Sequence, residues 1–142
     1  MNDIERTDDT LLSDGDEVLF RQVHPDLFQH GVPGYVAFRP GPRDEGQLSV
    51  DRSTLTTPEA SYVLHTEGKG KKSAGTWGLT VDEFRSVQRP CYSDPVEAED
   101  DMPANPAHAV AIYDGLDKKE MKKIGLALAE LAIARGLLHP HG

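Results

Sequence analysis

The sequence predicts an α+β fold: a single domain on a mixed or mainly antiparallel sheet of about five to six short strands, packed by a long C-terminal helix and two short helices. Three observations lead there. Thirteen glycines and ten prolines in 142 residues cut the chain into short elements. Between those cuts, short apolar runs with two-residue alternation recur, the pattern of half-buried strands. Near the C-terminus, Met121, Ile124, Leu128 and Leu131 repeat at the spacing of one helix face.

The elements follow in order. Glu17 to His24 reads as a strand closed by Pro25. Residues 25–30 can form one helical turn, which Gly31 ends. Tyr35 to Arg39 is expected as a second strand between turn signals, and Gln47 to Asp51 as a third. Thr57 can cap a helix with Pro58 in its first position, where a missing N–H costs nothing, running to about His65. Glu67 to Ser73 reads as a basic loop. Thr76 to Thr80 is a fourth strand, and Thr80-Val81-Asp82-Glu83 has the capping-box pattern of a short helix ended by Arg89-Pro90. Cys91-Tyr92 is a short fifth strand and Ala107 to Tyr113 a sixth. Asp117 and Glu120 form a second capping box, opening the last helix, and Gly136 stops it. Lys118, Lys119, Lys122 and Lys123 lie near its start, where the helix dipole disfavours cations.

Composition narrows the function classes. The chain carries a formal net charge of −9, concentrated in two places. Residues 1–16, with Glu17 next to them, read as a disordered acidic tail; 17–138 form the domain, and 139–142 a frayed end. Asp94, Glu97, Glu99, Asp100 and Asp101 fill a proline-rich loop without a basic partner. The body between is close to neutral. A net anion disfavours binding to nucleic acid, and no apolar run reaches the roughly 20 residues of a membrane span. The acidic opening MNDIERTDDT is unlike an export signal, and a lone Cys91 fits a reducing compartment, so the expected location is the cytoplasm.

The stretches Phe20-Arg21-Gln22-Val23-His24-Pro25, Ala37-Phe38-Arg39-Pro40, Leu48-Ser49-Val50 and Pro106-Ala107-His108-Ala109 together resemble a family of small uncharacterised bacterial proteins. The resemblance spans roughly residues 18–138. It implies a bacterial, cytoplasmic, stand-alone domain and brings no catalytic residue with it.

Motifs for chemistry are sparse. Gly68-Lys69-Gly70-Lys71-Lys72-Ser73 suggests a phosphate loop, but that pattern needs glycine where His65 stands. Six histidines show neither an HExxH spacing nor paired cysteines, so neither metal nor cofactor is expected. No nucleophile elbow surrounds Ser49 or Ser53, and Cys91 has only Arg89 as a nearby base. Strand alternation puts Arg21 beside Leu19 and Val23, a partly buried arginine in need of an acidic or backbone partner. His24 falls beside Phe20. Arg39, Arg43 and Arg52 are expected to pair with Asp44, Glu45 and Asp51.

Two functions follow. The first is a small bacterial accessory protein that binds a larger protein partner, through Glu97, Glu99, Asp100 and Asp101. The second is a small enzyme or ligand-binding domain that holds an anionic substrate with Arg21, His24, Arg39 and Arg52, with His65 or His108 carrying a proton. Convergence of those side chains on one pocket separates the second from the first.

Overall fold

The computed structural model of the chain describes residues 10–42 and 44–140. Its strands are β1 Val18–Gln22, β2 Phe28–Gln29, β3 Val32–Pro33, β4 Gln47–Arg52, β5 Thr76–Thr80, β6 Cys91–Ser93 and β7 His108–Ile112. The helices are α1 Pro58–Val63, α2 Val81–Ser86 and α3 Lys118–Arg135. Five strands form one sheet in the order β5-β1-β4-β7-β6, antiparallel throughout, and β2 and β3 form a separate pair. The α+β architecture expected from the sequence is therefore the observed one.

Register explains how the sheet divides its faces. Leu19, Leu48, Val50, Leu79, Ala109 and Ala111 project to one side and pack in one core with Leu128, Ala129 and Ala132 of α3. On the opposite side, cross-strand partners Phe20, Asp51 and His108 run in a row, as do Gln22 and Thr76. That side receives α1, whose Ser61 hydroxyl donates to Asp51 at 2.7 Å and accepts from Gln22 Nε2 at 2.9 Å. One face is thus apolar, and the other carries hydrogen-bonding side chains.

The helix starts follow the sequence signals. Thr57 accepts from Ala60 N, and Pro58 occupies the first turn of α1. Thr80 with Glu83, and Asp117 with Glu120, make complete capping boxes, each engaging the N–H groups of the cap residue and of the third residue of α2 or α3. Glycine at 125 lets α3 approach closely: a Cβ there would stand 2.5 Å from the Tyr35 carbonyl oxygen.

Four expectations are corrected. Tyr35 to Arg39 is no strand; Tyr35–Phe38 is a 3-10 turn that buries Ala37 and Phe38 completely. Its carbonyls are taken by side chains instead of a ladder: Tyr113 donates to Phe38 O at 2.6 Å, and Arg21 to Ala37 O at 2.8 Å. Gly31 does not end a helical turn. The helical turn covers only Pro25–Leu27, and His30 and Gly31, both at positive φ, form the two-residue turn of the β2–β3 hairpin. The acidic tail ends earlier than expected, because Leu12 is buried and its N–H donates to Cys91 O at 2.9 Å. Residues 1–9 lie outside the described residues. At the other end, His139 is held rather than frayed, accepting from Thr76 N at 2.7 Å along the free edge of β5, while 141–142 lie outside the described residues. Among the described residues no helix is long and apolar enough to cross a membrane.

Because Leu128 is fully buried, Leu128→Ala is expected to lower stability by roughly 2–5 kcal/mol in urea unfolding. Gly125→Ala is expected to destabilise as well, although alanine is the better helix former by about 1 kcal/mol, because its methyl group must displace the Tyr35 backbone.

Candidate functional site

The site begins where β1 and β4 part. They pair at Leu19–Arg52 and Phe20–Asp51, and Ser53 N donates to Val18 O beyond that end. In the other direction the ladder stops, although β4 continues to pair with β7 as far as Gln47. Arg21 fills the gap. Its Nε donates to Ala37 O at 2.8 Å and one terminal nitrogen to Ser49 O at 3.1 Å, so the guanidinium replaces the missing rungs. The backbone partner that a partly buried arginine requires is supplied twice over.

The parted strands open a cleft of about 260 Å³. Arg21, His65, Lys69, Lys71 and His108 line it, together with Asp44 and Asp51. Its roof is the continuation of α1: residues Leu64–Gly68 wind as a π turn, with Lys69 N donating to Leu64 O. Such turns recur at functional sites because they re-aim one or two side chains off the regular helix. Here the turn brings His65 over the cleft, and Lys71 N closes the loop by donating to His65 O at 3.1 Å.

A hydrogen-bond network fixes the roof to the floor. Asp51 accepts from Ser61 at 2.7 Å and from Asn105 Nδ2 at 2.9 Å, so both carboxylate oxygens are engaged by neutral donors. Gln22 donates to Ser61 and Thr76 and accepts from Ser73 at 2.8 Å. Thr76 and Ser61 are buried, and each buried hydroxyl has its partner. His108 Nδ1 stands 2.9 Å from Asp94 O and 3.2 Å from its carboxylate, so this nitrogen faces two acceptors and carries a proton toward them.

The electrostatics are those of a cationic cleft with a neutral base. Burial, followed by the charges of Lys71, Lys69 and Arg21, pushes His65 down from 6.5 to about 4, so its imidazole is uncharged near neutrality. Burial also lowers the Arg21 guanidinium, opposed by Asp44, but an arginine keeps its charge through such a shift.

The structure gathers only part of the expected site. Arg21 stands in the cleft, and so do both histidines expected as proton carriers. His24 lies just outside: it caps the Pro25–Leu27 turn by accepting from Asp26 N at 3.0 Å. Arg52 is elsewhere, bound through two hydrogen bonds at 2.9 and 3.1 Å to buried Glu17. Burial raises the Glu17 carboxyl, but the bonds from Arg52 and Thr54 outweigh it and hold Glu17 below its ordinary value. Arg39 lies on the α3 side, donating to Pro40 O and facing the Tyr35 ring. The expected pairing of Arg39 and Arg52 with Asp44, Glu45 and Asp51 is therefore replaced by these contacts, and Arg43 lies outside the described residues. Burial pushes the Cys91 thiol up to about 12, so it holds no thiolate near neutrality.

Glu97, Glu99, Asp100 and Asp101 stand apart from the cleft on a hairpin, bridged at Val96–Asn105 and Glu99–Met102, with all four side chains exposed. Lys69, Lys71 and the Gln22–Ser61–Asp51 network were not expected at the site. The lysine-rich loop was the available signal; it fails as a phosphate loop by spacing, yet folding brings two of its lysines over Arg21. Comparison with protein-family models, curated proteins and solved structures finds no match to this chain.

The His65 geometry has a consequence for stability. Its folded value of about 4 lies below the ordinary 6.5, so as pH falls the unfolded chain takes up this proton first. Stability is expected to decline between about pH 6.5 and pH 4 through this group. Urea midpoints measured across that window should show a shallower decline in His65→Gln than in the parent.

Proposed function

We propose that the chain is a ligand-binding domain that holds a small anion, a phosphate group or a compact phosphomonoester, in the cleft between β1 and β4. The observation that carries this reading is the convergence of Arg21, Lys69 and Lys71 on one concave space, with both Asp51 oxygens already occupied by Ser61 and Asn105. Size supports a small ligand. At about 260 Å³ the cleft falls just under the roughly 300–1,000 Å³ of sites that take drug-sized molecules. Arg21 offers a planar donor group pinned by two carbonyls, which costs little ordering on binding, and the lysines offer mobile charges at the mouth. His65, neutral when the cleft is empty, is positioned to gain a proton when an anion offsets the cations around it. Ligand uptake would then draw in a proton.

The accessory role is the second reading. It is favoured by the acidic hairpin, whose exposed Val96 and Met102 stand among carboxylates and so offer a basic partner both apolar and charged contacts. Arg21 and the acidic hairpin are separate features, and the two roles are compatible.

Orthophosphate titrated at pH 6 and followed by calorimetry and by the histidine ring signals is the direct test. A single saturable site is expected, with the His65 titration moving upward from about 4 in the bound form. Lys69→Gln and Lys71→Gln, which leave Arg21 and its carbonyl contacts in place, should each weaken binding by about two- to fivefold, the usual effect of one partly exposed ion pair. Phosphate that neither binds saturably nor moves His65 would remove the reading.

A further inference from the structure

A second concave surface lies on the other side of the sheet, between residues 35–42 with 45–46 and the first two turns of α3. It encloses about 670 Å³, well within the range of small-molecule sites, and it is separate from the phosphate cleft. Its walls are apolar: the Tyr35 ring, Pro40, Pro42 and Met121. Its polar members are nearly all cationic, with Arg39, Lys118, Lys119 and Lys122 against Glu45 alone. Two of the cations stand against an aromatic face, Arg39 at 5.8 Å and Lys122 at 5.2 Å from the Tyr35 ring centre.

Three features make this more than a solvated helix end. Among the described residues, none of Lys118, Lys119 and Lys122 is in an ion pair. Lys118 and Lys122 are also four residues apart, as are Lys119 and Lys123, a like-charge spacing that a helix disfavours. The Asp117–Glu120 capping box meanwhile takes up the N–H groups of Asp117 and Glu120, so the full charges on offer are those of the lysine side chains. The positive charge at this groove therefore exceeds what Glu45 offsets, and the surface beneath it is apolar. A hydrated inorganic ion would meet only the exposed lysines and gain nothing from Tyr35, Pro40 or Met121. A neutral apolar molecule would leave the cations unanswered.

We propose that this groove binds an organic anion with an aromatic or extended apolar body, its body lying on Tyr35, Pro40 and Met121 and its carboxylate or sulfonate held by Lys118 and Lys122. Charge complementarity and the enclosed volume together argue for this occupant.

The test uses 8-anilinonaphthalene-1-sulfonate as a fluorescent probe of that chemistry on the intact chain. One saturable site is expected, with amide NMR shifts gathered at residues 40–46 and 118–122. Lys118→Glu and Lys122→Glu, both at exposed positions, should each weaken the probe by about fivefold or more. The uncharged N-phenyl-1-naphthylamine should bind more weakly and ignore both substitutions. 1-Naphthoate should displace the probe, and orthophosphate at the same concentration should not. Probe binding that is unchanged by either charge reversal, or that is matched by the uncharged analogue, overturns the proposal. Displacement by a synthetic peptide of residues 94–105 in preference to 1-naphthoate overturns it too, and assigns the groove to the acidic hairpin of a second copy. Far-UV circular dichroism and melting curves of the two variants establish that any loss is one of binding and not of folding.

Discussion

The point at which β1 and β4 stop pairing shapes the rest of this molecule. A central ladder that ends after Phe20–Asp51 leaves backbone carbonyls facing a gap in the sheet. Buried polar groups demand partners, and Arg21 is the partner: it joins Ser49 of β4 to Ala37 of the 3-10 turn. Placing a guanidinium there does two things. It ties the layer containing the Tyr35–Phe38 turn to the sheet, and it puts a permanent positive charge at the floor of an open cleft. A structural requirement and the charge of the cleft thus rest on one side chain.

The roof of that cleft depends on a different kind of constraint. α1 is only six residues long, too short to hold itself on the sheet by propensity alone. Ser61 anchors it through Asp51 and Gln22, and Thr76 reinforces the anchor by donating to Pro58 O at 3.1 Å. With α1 fixed, the π turn that follows has a defined origin, and it brings His65 and the backbone of Lys69 and Lys71 to the cleft that Arg21 floors. Neutral donors satisfying Asp51 matter for charge as well as for packing. Had Asp51 paired with Arg21 or a lysine, the cleft would be a closed salt bridge.

Charge elsewhere is separated by role. Glu17–Arg52 and Glu83–Arg135 are paired, the first with its carboxylate buried and the second with bonds at 2.6 and 3.1 Å that join α2 to the end of α3. These pairs join elements distant in sequence, and their geometry leaves no charge over for a ligand. Among the described residues, exposed acidic side chains gather on the hairpin, and cationic ones line the cleft and the first turns of α3. A chain with a net charge of −9 therefore still presents two concave cationic surfaces. Overall charge sets solubility and long-range repulsion, whereas a site answers to the few charges within a Debye length of about 8–10 Å.

Whatever rests on contacts between near neighbours in sequence was decided by the sequence alone. Both capping boxes, Pro58 in the first turn of α1, the apolar face of α3 and the alternation of β4 are local patterns, each with a local physical cause. The need of Arg21 for a partner was legible too, since alternation placed it between Leu19 and Val23. Tertiary structure decided what depends on distant groups. Tyr35–Phe38 has strand-like residues but forms a 3-10 turn because Arg21 and Tyr113 claim its carbonyls and α3 closes over it. Leu12 reads as part of a polar tail until Cys91, far along the chain, offers it a carbonyl. The site itself belongs to this second class. Arg21, His65 and His108 are scattered in sequence, and Arg39 and Arg52 are their equals in composition. Only strand order and register bring the first three to one cleft and send the others away, because a sheet sorts side chains by pairing partner and face, which no local pattern encodes.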